Sequence, residues 1–133
     1  MAIKIKRIYE PTTESDGIRI LVDRIWPRGI SRYDARISSW EKDVAPTSEL
    51  RKWFGHAPER WQEFCRRYRA ELKHNPVATH LRKFAQRRVV TLVYAAHDQN
   101  HNHALVLAAF LRPSTIQRSA VKRVRTSKKQ GKP

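Results

Sequence analysis

The sequence predicts an α/β fold: a single compact domain with a small, mostly parallel sheet, helices packed on its faces, and a basic C-terminal tail. Three observations lead there. Residues 89–96 (VVTLVYAA) form an unbroken apolar run, the pattern of a strand covered on both faces. Residues 2–9 and 18–25 carry two further strand-like runs. Residues 33–87, rich in helical periodicity, supply the long crossover that two parallel neighbours require.

Taken in order, Ile3, Ile5 and Ile8 alternate with Lys4, Lys6 and Arg7 and mark the first strand, which Glu10-Pro11 ends. This start reads as a strand and not as a signal peptide. Residues 10–17 are a loop with Asp16-Gly17 as its turn signal. Ile18, Ile20, Leu21, Val22 and Ile25 make residues 18–25 the second strand, closed by Pro27 and Gly29. Residues 33–45 carry mixed signals and suggest a short helix ending near Trp40. Pro46-Thr47-Ser48 opens a helix that runs through Phe54, with Gly55 at its C-cap.

Pro58 suits the first turn of the next helix, whose apolar face is Trp61, Phe64, Cys65, Tyr68 and Leu72. Glu59, Glu63 and Arg67 lie four apart on its outer face and can pair. Asn75-Pro76 breaks that helix, and residues 77–87 form another with Leu81, Phe84 and Ala85 inward. After the third strand and a polar loop, residues 104–111 (ALVLAAFL) form a last helix, apolar nearly all round and therefore buried. The domain is expected over residues 1–112. Residues 113–133 are expected to be disordered when free, although Ile116, Ala120 and Val124 are spaced for a helix over 114–125 on a polyanion.

Composition narrows the function. A chain of 133 residues fits one domain with a real core. Its one cysteine, Cys65, excludes an internal disulfide, fits a reducing compartment and reads as a small core residue, not a nucleophile. No apolar run approaches the roughly 20 residues of a membrane span, so the expectation is a cytoplasmic protein with no membrane role. The net charge is +16, half of it from eight Lys and Arg residues in 112–133, where there is no acid. Such a balance suits a polyanion partner bound in a salt-dependent way.

The candidate site lies where the strands end. The second strand runs into Asp23, Arg24, Trp26 and Arg28, and the third into His97, Asp98, His101, Asn102 and His103. If these strands are parallel neighbours, both clusters meet at one sheet edge, the usual place for sites in open α/β sheets. Arg24 and Arg28 suit a bidentate clamp on phosphate or carboxylate. Arg24 equally suits an ion pair with Asp23 or Asp98 that ties the strand ends together. Asp23 or Asp98 can orient a histidine or act as a base, and His101 or His103 can carry a proton. Two apart at a helix start, the two histidine side chains are expected to diverge. Asn102 suits the N-cap of the last helix, whose amides face the crevice as a further anion-binding element. Trp26 and Trp53 are candidates to line the pocket.

The spacing HDQNHNH matches no zinc signature, so no metal ligands are assigned. The four glycines, at 17, 29, 55 and 131, make no phosphate loop or dinucleotide fingerprint. The sequence names neither a cofactor nor a reaction.

The motifs RIYEP (7–11), DGIRILVDRIWPRG (16–29), ELRKWFGHAPERWQEF (49–64) and VTLVYAAHDQNHNHALVL (90–107) resemble those of the YeaO-like family of small bacterial proteins, a domain of unknown function. The resemblance spans roughly residues 3–111 and leaves the tail outside. It implies a compact α/β cytoplasmic domain and no activity that carries over. A larger related group is similar in having an aspartate-arginine strand end and a later Cys-His-Arg segment. This chain has Asn102-His103-Ala104 there, so that group's cysteine chemistry does not transfer.

Two function classes follow. The first is a domain that binds or acts on a small anionic ligand bearing phosphate or carboxylate. The second is a nucleic-acid-associated protein or regulator that uses its basic surface and tail for non-specific phosphate binding.

Overall fold

A computed structural model describes residues 2–112. The elements are β1 (Ala2–Arg7), β2 (Ile18–Leu21), α1 (Arg32–Ala35), β3 (Ser39–Trp40), α2 (Ser48–Phe54), α3 (Trp61–Lys73), α4 (Pro76–Ala85), β4 (Val89–Tyr94) and α5 (His103–Leu111). Short 3-10 turns at Glu14–Asp16, Lys42–Val44 and Pro58–Arg60 connect them. The expected tail, and the helix considered at 114–125, lie outside the described residues. Among the described residues no helix is long and apolar enough to cross a membrane.

The sheet has four parallel strands in the order β1-β4-β2-β3. The crossover expected between the second and third sequence-predicted strands is present: β2 and β4 are parallel neighbours, with Ile20 opposite Leu92. Alternation along the strands builds two faces. Ile3, Ile20, Val22, Val90, Leu92 and Tyr94 face the large core made by α2 to α5, with Phe64, Tyr68, Leu72, Leu81 and Leu107 buried opposite them. Leu21, Val93 and Ile8 face a smaller cluster with Ala35, Trp26, Ile37 and Trp40.

Local chemistry sets the helix ends. The Thr47 hydroxyl accepts from the Leu50 amide at 3.2 Å, and Gly55 closes α2 in the left-handed region at φ 53°. The Asn75 side chain accepts from the Val77 amide at 2.9 Å, with Pro76 at the first helical position of α4. On α3, Glu63 pairs with Arg66 and Arg67, whereas Glu59 makes no ion pair among the described residues. The two arginines hold the Glu63 carboxyl down to about 2, Arg66 most strongly.

Two elements depart from the expectation. The second strand stops at Leu21 instead of residue 25, because the next ladder donor, the Ala95 amide, is taken at 3.1 Å by the Asp23 carboxylate and not by backbone. The short helix expected up to Trp40 ends at Ala35, with Arg36 in the left-handed region at φ 49°. Ser39–Trp40 then pairs with β2 as an edge strand, a two-residue element fixed by its partner and not by its own pattern.

Candidate functional site

The segments that leave β2, β3 and β4 at the sheet's C-terminal edge enclose a crevice of about 480 Å³. Its lining comes from residues 23–28, from residues 45–64 of the crossover and from residues 95–103. Asp23, Arg24, Trp26, Arg28, His101, Asn102 and His103 all line it, so topology brings the two sequence clusters together as expected. His97 and Asp98 do not line it, and neither does Trp53, which is overlaid by Arg60 and Arg67.

Asp23 fastens three strand ends. Its Oδ2 accepts from the Ala95 amide at 3.1 Å, and its carbonyl accepts from Trp40 Nε1 at 2.6 Å. Its Oδ1 is closed off from solvent and has no aligned hydrogen bond, although His103 Nε2 stands 3.2 Å away. That nitrogen lies 3.1 Å from the Val22 carbonyl, which can only accept. Both groups facing Nε2 are acceptors, so a proton on that nitrogen would serve them.

Arg24 pairs with neither Asp23 nor Asp98. Its Nη2 donates to the carbonyls of Ala45 and Pro46, both at 3.2 Å, and so pins the crossover against the end of β2. These acceptors are neutral, so the guanidinium charge is retained at the crevice wall. Arg28 is exposed on the rim. Trp26 is held in place: its Nε1 donates to the Ile30 carbonyl at 2.8 Å, Trp40 packs edge-on at 5.5 Å, and the Arg32 guanidinium lies 4.5 Å from its ring centre.

Across the crevice, Asp98 organises the loop before α5. Its carboxylate accepts from the Asn100 and His101 amides and from His101 Nδ1 at 2.9 Å. The Asn100 amide first, and His101 second, lower its carboxyl below the ordinary range. Asp98 thus orients His101 from outside the crevice. Asn102 is buried and caps α5 by accepting from the Leu105 amide at 3.1 Å. The two histidines were expected to diverge. Both line the crevice, because His101 sits in the loop, packed edge-on to Trp61, while His103 begins the helix.

The crossover also contributes Arg51 and Phe54 from α2, His56 just after it and Phe64 from α3; of these, sequence reasoning did not single out Arg51, and it read Phe64 as core. Arg51 is one of 28 basic residues and carries no local mark. His56 follows the C-cap glycine of α2. Both residues adopt positive φ, 53° and 57°, which is costly for a side chain with a Cβ. Among the described residues no carboxylate forms an ion pair with Arg28, Arg51 or His56. Also among them, no group of three or more His, Cys, Asp or Glu side chains could hold a metal ion. Cys65 packs against the core, and burial pushes its thiol upward, away from the thiolate.

Comparison with known proteins gives a consistent picture. The family model described as the inactive DUF488-N3 subclade matches residues 2–129, so it runs past the point near residue 112 where the motif resemblance stops. The uncharacterized protein YeaO of Escherichia coli (strain K12) is 44% identical over 113 residues, covering 84% of this chain and 98% of that protein. Uncharacterized proteins of Mycobacterium tuberculosis and Mycobacterium bovis are each 48% identical over 109 residues, covering 82% of this chain and 92% of theirs. No solved structure matches the chain.

Proposed function

We propose, from the premise that this chain belongs to the inactive DUF488-N3 subclade, that its crevice binds a small anionic ligand carrying phosphate or carboxylate. One observation carries this reading: Arg28, Arg51 and His56 stand exposed around one crevice with no acidic partner among the described residues, and Arg24 adds a charge that only neutral carbonyls meet. The clustered guanidinium groups, left unneutralised in a concave site, attract anions and hold them through charge-assisted hydrogen bonds, and the His56 ring adds a donor.

Binding is favoured over turnover. The word "inactive" in the family's description supports it. So does Asn102-His103-Ala104, which supplies no thiol and no guanidinium where the larger related group has Cys-His-Arg. Asn102 is a buried helix cap, and Asp23 is engaged by the Ala95 amide through one oxygen while the other is closed off from solvent.

The test is an NMR titration of the full chain with inorganic phosphate and with acetate, following the His56 and His101 ring signals. Saturable shifts are expected, and Arg28→Ala or Arg51→Ala weakens binding about tenfold each, the loss of one charged hydrogen bond. No saturable shift with either anion sinks the reading. The +16 charge supports a second reading, sequence-independent association with nucleic acid. Its mark is an affinity that falls steeply with salt and persists in the Arg28→Ala, Arg51→Ala double variant.

A further inference from the structure

We infer that the ligand of this crevice is an aromatic anion: a flat ring lodged against Trp26, Phe54 and Phe64, with its phosphate or carboxylate at Arg28, Arg51 and His56. The inference rests on the anion-binding reading above and names the chemical class of the ligand.

Size and lining come first. A volume of about 480 Å³ falls in the range of small-molecule pockets and far exceeds what one inorganic anion fills. Much of the wall is apolar, including Ile25, Trp26, Pro27, Phe54 and Phe64. A bare anion would leave that surface wet, so the ligand needs an apolar body to displace the water.

Polarity fixes the orientation. Asp23 is half-buried, with one carboxylate oxygen shut away from solvent, and it repels an anionic head. Arg28, Arg51 and His56 are exposed. The head group therefore faces outward and the apolar body inward.

Rigidity favours a ring. Trp26 is held by its hydrogen bond to Ile30, by Trp40 and by Arg32. Phe54 stacks on Phe64 with centroids 4.5 Å apart, and both are buried. Fixed aromatic faces and edges favour a flat ring over a flexible alkyl chain, through offset or edge-on contacts that need little further ordering. His56 fits the same reading. It is held at φ 57°, where glycine would be cheaper, with its ring 6.3 Å from Phe54. A strained residue at a pocket mouth is the kind of device that positions a side chain for a ligand.

The experiment is calorimetric titration of the full chain with phenyl phosphate, phenylacetate, butyl phosphate and inorganic phosphate. Phenyl phosphate or phenylacetate should bind about tenfold or more tightly than butyl phosphate, and whichever of the two is preferred identifies the head group. The preference for phenyl over butyl phosphate should shrink in Trp26→Leu and return in Trp26→Phe. His56→Gly should fold with an equal or higher melting temperature and bind every probe less tightly. Equal affinity for phenyl and butyl phosphate overturns the ring while leaving the anion site standing. Failure of all four probes overturns both. Unchanged discrimination in Trp26→Leu also overturns the proposed seat.

Discussion

The two best-defined charge clusters of this protein use the same residue types in opposite ways. On the second face of the sheet, Asp16 and Arg19 are each only 3% exposed. The Asp16 carboxylate takes Arg19 Nη1 and Lys6 Nζ, both at 2.8 Å, together with the Thr13 hydroxyl and amide. Arg19 also donates to the Ala35 and Arg36 carbonyls. Every strong donor there has an acceptor inside the protein. At the C-terminal edge, Arg28, Arg51 and His56 have no acidic partner among the described residues. The difference teaches how to separate charge that is spent inside the fold from charge that is left free at the surface: by partners, not by residue type or density.

The largest effect should come from breaking the paired cluster. Asp16→Asn leaves a buried guanidinium and a partly buried ammonium without their anion, at a cost of about 4 kcal/mol. Urea denaturation checks it as a lower midpoint at unchanged slope. The same cluster predicts the acid limb. Burial alone would raise the Asp16 carboxyl, but the bonds from Lys6, Thr13 and Arg19 reverse this and hold it far below the ordinary range. A group whose folded value is depressed stabilises fully above its unfolded value, near 3.9, and loses that contribution as the pH falls through its lower folded value. Wild-type stability should therefore fall below about pH 4, and Asp16→Asn should flatten that fall.

Next in size is Gly17→Ala, beside the same cluster. Gly17 has φ 64°, and a Cβ there would meet the Val89 carbonyl oxygen at 2.3 Å. The strain and the clash together should cost about 3 kcal/mol. Tyr68→Phe should cost less, about 1 to 2 kcal/mol, because it strands the Val44 carbonyl that the buried hydroxyl serves at 2.5 Å. None of these variants should alter anion affinity in those molecules that fold.

The crevice should behave in reverse. Arg51→Ala should shift stability by less than about 0.5 kcal/mol while weakening phosphate binding about tenfold. A destabilisation as large as that of Asp16→Asn would show Arg51 to be part of the scaffold and erase the contrast. The smallest effect belongs to Glu63→Gln, whose solvated pairs with Arg66 and Arg67 serve neither region. Its denaturation midpoint should coincide with that of the wild type within error.

By itself the sequence determined whatever is encoded within a few residues. The run from Val89, the Asn75-Pro76 break, the Thr47 and Asn102 caps and Gly55 place the helices and the central strand, because periodicity, capping and φ preference are local effects. Parallel pairing then followed from the length of the crossover, and it put Asp23, Arg28, His101 and His103 at one edge. Only the tertiary structure decided how those groups are used. Arg24 turns to carbonyls about twenty positions along the chain, and Asp23 ends its own strand by taking the amide of Ala95. Asp98 serves His101 from outside the crevice, and Arg51 and His56 join the lining from the crossover. These outcomes depend on which acceptors and charges come within about 3 Å after the chain has closed on itself, and no local pattern records that distance.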